Sequence, residues 1–369
     1  MHEHFFDTPD SMEEWVSASR EHQAWATRLM TEAFRRDNRM VSFAIHLFID
    51  AWPAGWMKAI VDVEREPKPA FFAYREALTP LMANIRTDRW KFFSGERMRH
   101  EFWICNDTHE MPSNAELRWQ LEIDGRVVHA RRSPAEIRPN EAVFQGFTDI
   151  PVPEVNVRTK GTLRLALFDG ERLVHDTAVE LEFFPRPKPL EVAVHVLGQT
   201  DGPAARLARE LNLPVRETGT VWLIDDFEAF ERARAEVDRA LEDGARVLFL
   251  NLPPGRYVLP GSSESVLVAS ANPHFLTRKT GHEWVRDFEP FDFRFWYDQR
   301  AGMLTPLASG KFTGGPWNPI VKAQGQNAVA ERAAGRGRVI LCQAFLADRV
   351  TANPTARLFV ERLLRETRE

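Results

Sequence analysis

The residues best suited to ligand chemistry lie in one short loop, where Asp50 and Trp52 follow a long apolar run. That run, residues 40–49, is apolar at all but two positions, which is typical of a parallel strand buried on both faces. Loops after such strands often carry binding residues, and an aromatic ring there can stack on the C–H surface of a sugar. We therefore predict Asp50 and Trp52 to bind substrate. The alternative is structural: Asp50 would cap the following turn, and Trp52 and Trp56 would fill the top of a barrel.

Two other groups of residues have side chains that bind metals in other proteins. His2, Glu3 and His4 stand together at the N-terminus, but such a terminus is usually mobile and solvated. Cys105 and Cys342 are far apart in the sequence, which favours buried thiols over a disulfide framework or a zinc-ligand pair. The sequence therefore predicts no metal site and no cofactor.

The overall composition excludes several classes of protein. With 44% hydrophobic residues the chain can build packed cores, so it is not a disordered protein. A net charge of −5 gives no general attraction to nucleic acid. No apolar run approaches the ~20 residues of a membrane span, and the first residues lack the pattern of a signal peptide. We expect a soluble, cytoplasmic protein without nucleic-acid or membrane partners.

Helix and strand patterns alternate at the start of the chain. Ser11 and Glu14 form a capping box ahead of apolar residues at three- and four-residue spacing, which predicts one amphipathic helix over residues 11–37. A second helix is predicted over residues 69–81, opened by a proline. Helix, strand, loop and helix is the rhythm of a (β/α) barrel, but a whole barrel takes ~250 residues. Residues 1–88 are therefore predicted to be the C-terminal end of an incomplete (β/α)8 barrel.

From residue 89 the apolar pattern changes to a period of two. Hairpin dipeptides occur at Asp124-Gly125 and Asp169-Gly170, between alternating segments. This pattern predicts a β-sandwich over residues 89–185. An apolar strand at residues 40–49 would aggregate if it were left bare, so we expect it to be covered by this sandwich or by another copy of the chain.

The rest of the chain shows strands that alternate with helices. Three prolines within residues 185–189 indicate a stiff linker. Beyond it, strands and helices alternate, with a last strand over residues 337–342 and a closing helix that begins at Pro354. This order predicts a doubly wound α/β domain with a parallel sheet over residues 190–369.

Three short motifs follow one another early in the chain: residues 48–56 around Trp-Pro, the Ile-Val-Asp step at residues 60–62, and the Pro-Lys-Pro-Ala helix start at residues 67–70. Their order and spacing are similar to the barrel end of glycoside hydrolase family 2, the family of β-galactosidases, β-glucuronidases and β-mannosidases. The chain resembles the C-terminal portion of such an enzyme. Ile49 stands at the usual asparagine of the motif and His46 at a frequent tryptophan, so the sugar preference is not carried over.

The resemblance also implies the nature of the later domains. Family members place an immunoglobulin-like sandwich after the barrel, and residues 102–107 resemble one of its strands. Some members add an α/β domain that resembles the class I glutamine amidotransferase fold, which fits residues 190–369. An amidotransferase needs a cysteine at a strand-to-helix turn, but the predicted strand 246–250 leads into Asn251. No nucleophile is expected there.

Family 2 enzymes are retaining, so two carboxylates ~5 Å apart must act as nucleophile and acid/base. If residues 40–49 form the last barrel strand, the family's acid/base glutamate belongs upstream of Met1. Glu3 lies near the end expected for the preceding strand and is a candidate remnant of the nucleophile; the alternative is an ordinary solvated glutamate. The chain is thus predicted to be part of a β-glycosidase that is inactive alone.

Two other hypotheses stay open. The chain could be a non-catalytic carbohydrate-binding or oligomerisation module that completes its barrel against another chain, or an active hydrolase whose site the sequence does not reveal. The expected partners are a carbohydrate substrate, the remainder of the catalytic barrel, or a second copy in a homo-oligomer.

Overall fold

A computed structural model describes residues 2–52 and 58–365, and the chain divides into two compact units. One unit is Pro9–Arg186, here called the sandwich unit. The other combines Met1–Thr8 with Pro187–Glu369 and is called the α/β unit. Helices and strands occur in both units and sheets predominate, which confirms the mixed α and β class.

The sandwich unit begins with two helices and continues in strands. Its elements are α1 (Met12–Arg36), α2 (Pro69–Ala77), β1 (Leu81–Arg86), β2 (Lys91–Phe93), β3 (Arg97–Met98), β4 (Glu101–Asn106), β5 (Ala115–Ile123), β6 (Arg126–Pro134), β7 (Glu141–Phe147), β8 (Ile150–Pro151), β9 (Thr159–Asp169) and β10 (Arg172–Phe184).

Two sheets of the sandwich unit share one apolar core. One has the order β1-β4-β7, and the other has the order β2-β10-β9-β5-β6, in which all pairs except β2-β10 are antiparallel. Ile104 of the first sheet and Leu121 and Leu165 of the second are fully buried in this core. Alternate residues of β5 are buried, so its period of two reflects one inward and one outward face. The predicted hairpin turn at Gly170 joins β9 to β10 with a positive φ of 61°.

Residues 40–49 do not form the predicted buried strand. The only strand-like contact there is an isolated parallel bridge between Ile49 and Val61 among the described residues. Val41 is 97% exposed and Phe48 is 46% exposed. A strand needs partner strands for its N–H and C=O groups, and no ladder forms along this segment in the part of the chain that the structure describes. The predictions of a strand and of its burial against the sandwich are wrong for this unit, and its coverage by another copy of the chain stays a prediction.

The helix predicted over residues 11–37 is confirmed as α1. Ser11 Oγ accepts a hydrogen bond from Glu14 N at 3.1 Å, as the capping box requires. α1 packs against α2 and against β4 and β7. The second helix ends at Ala77, earlier than predicted, because Pro80 disfavours helical backbone at the residue before it and cannot itself donate to the helix.

Arg35 joins the end of α1 to the end of α2. Its buried guanidinium donates from Nη1 to Ala77 O at 2.9 Å and to Thr79 O at 2.7 Å, and from Nη2 to Pro80 O at 3.1 Å. Nη2 also lies 3.0 Å from the carboxylate of Asp107. The cation thus satisfies carbonyl groups that the end of a helix leaves without partners.

His100 is a fully buried histidine in the sandwich core. Thr148 Oγ1 accepts from its backbone N at 3.0 Å, and its ring lies edge-on to Phe92. Burial lowers the pKa of His100 from its ordinary value to about 4, because desolvation penalises the imidazolium. The folded sandwich therefore holds this ring neutral in mildly acidic solution.

The stability of the sandwich unit is expected to fall between pH 6.5 and pH 4. Above pH 6.5 both states hold the His100 ring neutral, but as pH falls towards 4 only the unfolded chain takes up a proton, at a total cost of about 3 kcal/mol. Hydrogen–deuterium exchange of peptides from β9 measures this loss. In His100→Phe the loss should shrink by this amount, and it should persist in His109→Asn, which changes an exposed histidine. An equal loss in wild type and His100→Phe would contradict the assignment.

The α/β unit contains the remaining elements. They are two 3-10 helices (His2–His4 and Glu283–Val285), the strands β11 (Val194–Leu197), β12 (Val221–Ile224), β13 (Arg246–Leu250), β14 (Gly255–Tyr257), β15 (Val266–Ser270), β16 (Tyr297–Asp298), β17 (Met303–Leu304), β18 (Gly310–Thr313), β19 (Asn318–Ala323), β20 (Gln326–Ala334) and β21 (Gly337–Cys342), and the helices α3 (Pro203–Glu210), α4 (Phe227–Glu242) and α5 (Pro354–Leu364). Across the described parts of both units, no helix combines the length and the apolar character that crossing a bilayer requires.

Four parallel strands form one half of the large sheet of the α/β unit. Their order is β11-β12-β13-β21, and antiparallel strands extend the sheet beyond β21. Side chains of these strands alternate between two cores: Leu223 packs in the core that includes α3 and α5, and Trp222 packs in the core that includes α4. Helices therefore cover both faces of the parallel strands.

The direction of winding reverses between β11 and β12. After α3 the chain returns at Val215, which makes a parallel bridge to Val194 of β11, whereas β12 pairs with β11 and then leads through α4 to β13. Right-handed crossovers in opposite directions place α3 and α4 on opposite faces of the sheet. Such a reversal is the place where open α/β sheets leave a crevice at the carboxyl ends of their strands.

Candidate functional site

Asp50 is held in a buried ion pair in the sandwich unit. Its Oδ2 lies 2.8 Å from Lys68 Nζ, and the two side chains are only 8% and 10% exposed. The backbone fixes both partners: Asp50 N donates to Val61 O at 2.9 Å, and Lys68 N donates to Ile60 O at 2.9 Å. Lys68 is also the N-cap residue of α2. The carboxylate of Asp50 thus neutralises a buried lysine.

Trp52 lies in the loop that follows Asp50 and is 84% exposed. Its indole offers a broad apolar face to solvent, of the kind that can stack on a sugar ring. Trp56, which belonged to the structural alternative, lies outside the described residues. In its described part, this loop thus contains an exposed indole at Trp52 and, at Asp50, a carboxylate that is already paired.

Glu3 lies in the other unit, within the 3-10 helix His2–His4. Its Oε1 accepts a hydrogen bond from Thr8 Oγ1 at 3.4 Å. His4 of the same helix contacts the side-chain amide of Gln324. Glu3 and Asp50, the predicted carboxylates, thus belong to different compact units. Within residues 2–52 and 58–365 no cluster of His, Cys, Asp and Glu has the arrangement of a metal site.

The turn after β13 is the position where an amidotransferase would carry its cysteine, and Asn251 occupies it with a positive φ of 51°. Asparagine tolerates this left-handed backbone better than most residues. Its Nδ2 donates to Gln343 O at 3.0 Å and to Ala344 O at 3.2 Å. An amide in this position cannot act as a nucleophile.

Both cysteines are buried thiols, as the sequence predicts. Burial raises the pKa of Cys105 to about 11 and that of Cys342 to about 12, because desolvation disfavours the thiolate. Cys342 Sγ lies 3.6 Å from Ala344 O within the sheet core. Neither thiol has the lowered pKa that cysteine nucleophiles need.

Lys68 is the residue of this site to which sequence reasoning gave no role. It lies in the Pro-Lys-Pro-Ala motif that carries the family resemblance, and it stands eighteen positions after Asp50. The lysine stands between two prolines ahead of an apolar helix face, a pattern that could have indicated a buried cation. A buried cation requires a buried anion nearby.

Similar proteins were found among curated sequences. The chain is 30% identical over 121 residues to beta-mannosidase B of Aspergillus clavatus, which covers 29% of this chain and 14% of that protein. It is 29% identical over 112 residues to beta-mannosidase B of Neosartorya fischeri, which covers 27% of this chain and 13% of that protein. The chain thus matches only about one seventh of the length of these relatives. No protein-family model matches the chain.

Among solved structures, a beta-D-mannosidase from Dictyoglomus thermophilum aligns with 51% of this chain and 22% of its own, at 20% identity and a TM-score of 0.35. A cycloisomaltooligosaccharide glucanotransferase from Paenibacillus aligns with 55% of this chain and 32% of its own, at 7% identity and a TM-score of 0.24. Superpositions this weak do not establish a common fold.

Proposed function

Since the chain resembles the C-terminal portion of a glycoside hydrolase family 2 enzyme, we propose that it forms the C-terminal region of a retaining β-glycosidase and hydrolyses no glycoside alone. The curated relatives that support this are β-mannosidases, so a β-mannoside is the first substrate class to consider for the whole enzyme. The activity itself would depend on a complete (β/α)8 barrel.

Each part of the chain would correspond to one domain of such an enzyme. Residues 1–88 correspond to the C-terminal end of the (β/α)8 barrel, residues 89–185 to the immunoglobulin-like sandwich, and residues 190–369 to the accessory domain that resembles the amidotransferase fold. The two sheets around a common core support the second assignment, and helices on both faces of four parallel strands support the third.

The observation that carries the proposed inactivity is the ion pair of Asp50. Retaining hydrolysis needs two carboxylates ~5 Å apart, one as nucleophile and one as proton donor. Asp50 is engaged by Lys68 at 2.8 Å, and Glu3 belongs to the other unit. In the part of the chain that the structure describes, Asp50 is paired with Lys68 and Glu3 accepts from Thr8, so we expect the catalytic pair to come from additional barrel strands.

The purified chain is expected to release no nitrophenol from p-nitrophenyl β-D-mannopyranoside or the matching galactoside and glucuronide. The physical reason is that retaining hydrolysis needs two facing carboxylates, and Asp50 is already paired with Lys68. Glycosidase assays at pH 5 to 7 check it, with an intact family 2 enzyme as the positive control. Any turnover by the purified chain would refute the proposed inactivity, and turnover that persists in Asp50→Asn would point to a catalytic site elsewhere. Sequence upstream of Met1 that encodes the remaining barrel strands would support the assignment.

The exposed indole of Trp52 favours a second candidate, a non-catalytic carbohydrate-binding module. In that case mannose or a manno-oligosaccharide would raise the melting temperature without turnover, since a ligand that binds only the folded state stabilises it. Trp52→Ala would abolish that shift. An oligomerisation role would instead appear as a concentration-dependent mass in analytical ultracentrifugation.

A further inference from the structure

A cavity of about 410 Å³ lies at the carboxyl ends of the parallel strands of the α/β unit. Asn251, directly after β13, lines it, as do Phe345 and Arg349 on the segment that follows β21. Small-molecule sites typically measure roughly 300–1,000 Å³, and in open α/β sheets they lie at this edge, near the reversal of winding. The cavity therefore has the size and the position of a ligand site.

At the position where open α/β sheets often bind an anion, this protein places one of its own carboxylates. The carboxylate of Asp225, directly after β12, accepts from Ala204 N of α3 at 2.8 Å and from Gln199 N at 3.3 Å. A Cβ atom at Gly198 or Gly202 would lie 1.8 Å or 2.2 Å from its oxygens, so both positions need glycine. Asp225 thus uses the positive end of α3, which leaves no vacant phosphate site there.

The charged side chains that line the cavity are paired with one another. Arg206 Nε lies 3.1 Å from Asp348 Oδ2, and Arg349 Nη1 lies 2.8 Å from Asp298 Oδ2. These two guanidinium groups and two carboxylates leave the lining of the cavity with no net charge. An anionic ligand would have to displace carboxylates and a cationic ligand would have to displace guanidinium groups, so neither is favoured.

Hydrogen bonds also fix the residues that line the cavity. The backbone N of Asp348 donates to both carboxylate oxygens of Glu210 on α3, at 2.8 and 3.0 Å. Arg349 is buried, and its Nη2 donates to Thr305 Oγ1. These contacts fix the segment after β21 before any ligand arrives, which lowers the entropy cost of binding.

Uncharged groups remain for a ligand. Asn251 Nδ2 donates to backbone carbonyls, whereas Asn251 Oδ1 accepts from no donor among the residues described. Asn272 is exposed, and its amide makes no hydrogen bond within those same residues. The half-buried ring of Phe345, whose centroid lies 5.6 Å from Cζ of Arg349, adds an apolar surface to the lining. Amide donors and acceptors beside an aromatic ring match the hydroxyl groups and the C–H face of a sugar.

We propose that this cavity binds a neutral polyhydroxylated ligand of the size of a mono- or disaccharide. It is a binding site in the α/β unit, distinct from the Asp50–Trp52 loop, and it needs no barrel strands. An experiment that disproves sugar binding at this cavity therefore leaves the proposed hydrolase assignment untouched, and the reverse also holds.

Saturation-transfer difference NMR with D-mannose, D-galactose and lactose tests this proposal, with inorganic phosphate as the anionic probe. The measurements are made in a Trp52→Ala background, so that sugar held on that loop does not contribute. We expect transfer to at least one sugar, an affinity about fivefold lower in Asn272→Ala because one hydrogen bond is lost, and a larger loss in Phe345→Leu. Asn114→Ala, an exposed asparagine of the sandwich unit, is the matched control and should bind as the parent does.

Three results would overturn the proposal. These are no transfer to any of the sugars, transfer that is unchanged in both Asn272→Ala and Phe345→Leu, and displacement of the sugar by phosphate. Melting curves of each variant show whether it is folded, and Asn272→Ala keeps the test valid if Phe345→Leu is unstable, because Asn272 is exposed.

Discussion

Replacement of Asp50 by alanine is expected to lower the free energy of unfolding of the sandwich unit by about 3–5 kcal/mol, the usual cost of removing one partner of a buried ion pair. Lys68 would remain buried without the carboxylate that lies 2.8 Å away in the folded chain. Hydrogen–deuterium exchange of peptides from α2, whose N-cap is Lys68, gives the local free energy, and urea unfolding gives the global value.

A second variant separates the charge from the packing. Asp50→Leu combined with Lys68→Met removes both charges and should recover most of the lost stability. Asp88→Ala, which breaks the exposed pair between Asp88 and Arg86, is the matched control and should change little. If Asp50→Ala left the exchange of α2 unchanged, the carboxylate would not be structural, and its predicted role in sugar binding would become the stronger interpretation.

Arg35→Ala is expected to destabilise the sandwich unit by about 3 kcal/mol, because at least two backbone carbonyls would lose their donor in a buried position. The carbonyls are Ala77 O at 2.9 Å and Thr79 O at 2.7 Å from Nη1. Denaturant unfolding measures the change, and exchange of peptides at the end of α2 should rise most.

The chain offers a matched control for this arginine. Arg39, four positions later, is 91% exposed and its side chain pairs with Asp37, so Arg39→Ala should leave stability unchanged. Arg35→Lys keeps the charge but loses the fork of donors, and it should fall between wild type and Arg35→Ala. Equal stability of Arg35→Ala and Arg39→Ala would mean that the carbonyls find other donors, such as water.

The elements that the sequence predicts well are those whose signals are local. The capping box at Ser11 places the start of α1, the alternation in β5 places its inner face, and the apolar runs of β13 and β21 are strands in the structure. Each signal depends on residues within a few positions of one another. Neighbours in the sequence are enough to determine it.

The features that the sequence did not reveal depend on distant partners. Residues 40–49 have the composition of a buried strand, yet a strand also needs neighbours that donate and accept its hydrogen bonds. The pairing of Asp50 with Lys68 depends on the chain folding back at Val61. The cavity of the α/β unit is lined by Arg206 of α3, Asn251 after β13 and Asp298 of β16. No local pattern brings such residues together.

The carboxylate of Asp225 at the start of α3 also bears on how this fold can diversify. Because this carboxylate accepts from the amides at the N-terminus of α3, an anionic ligand cannot bind to the same amides. Gly198 and Gly202 have no Cβ atom that would collide with this carboxylate. Shortening or neutralising Asp225 would therefore leave the backbone amides of Gln199 and Ala204 without the carboxylate that accepts from them.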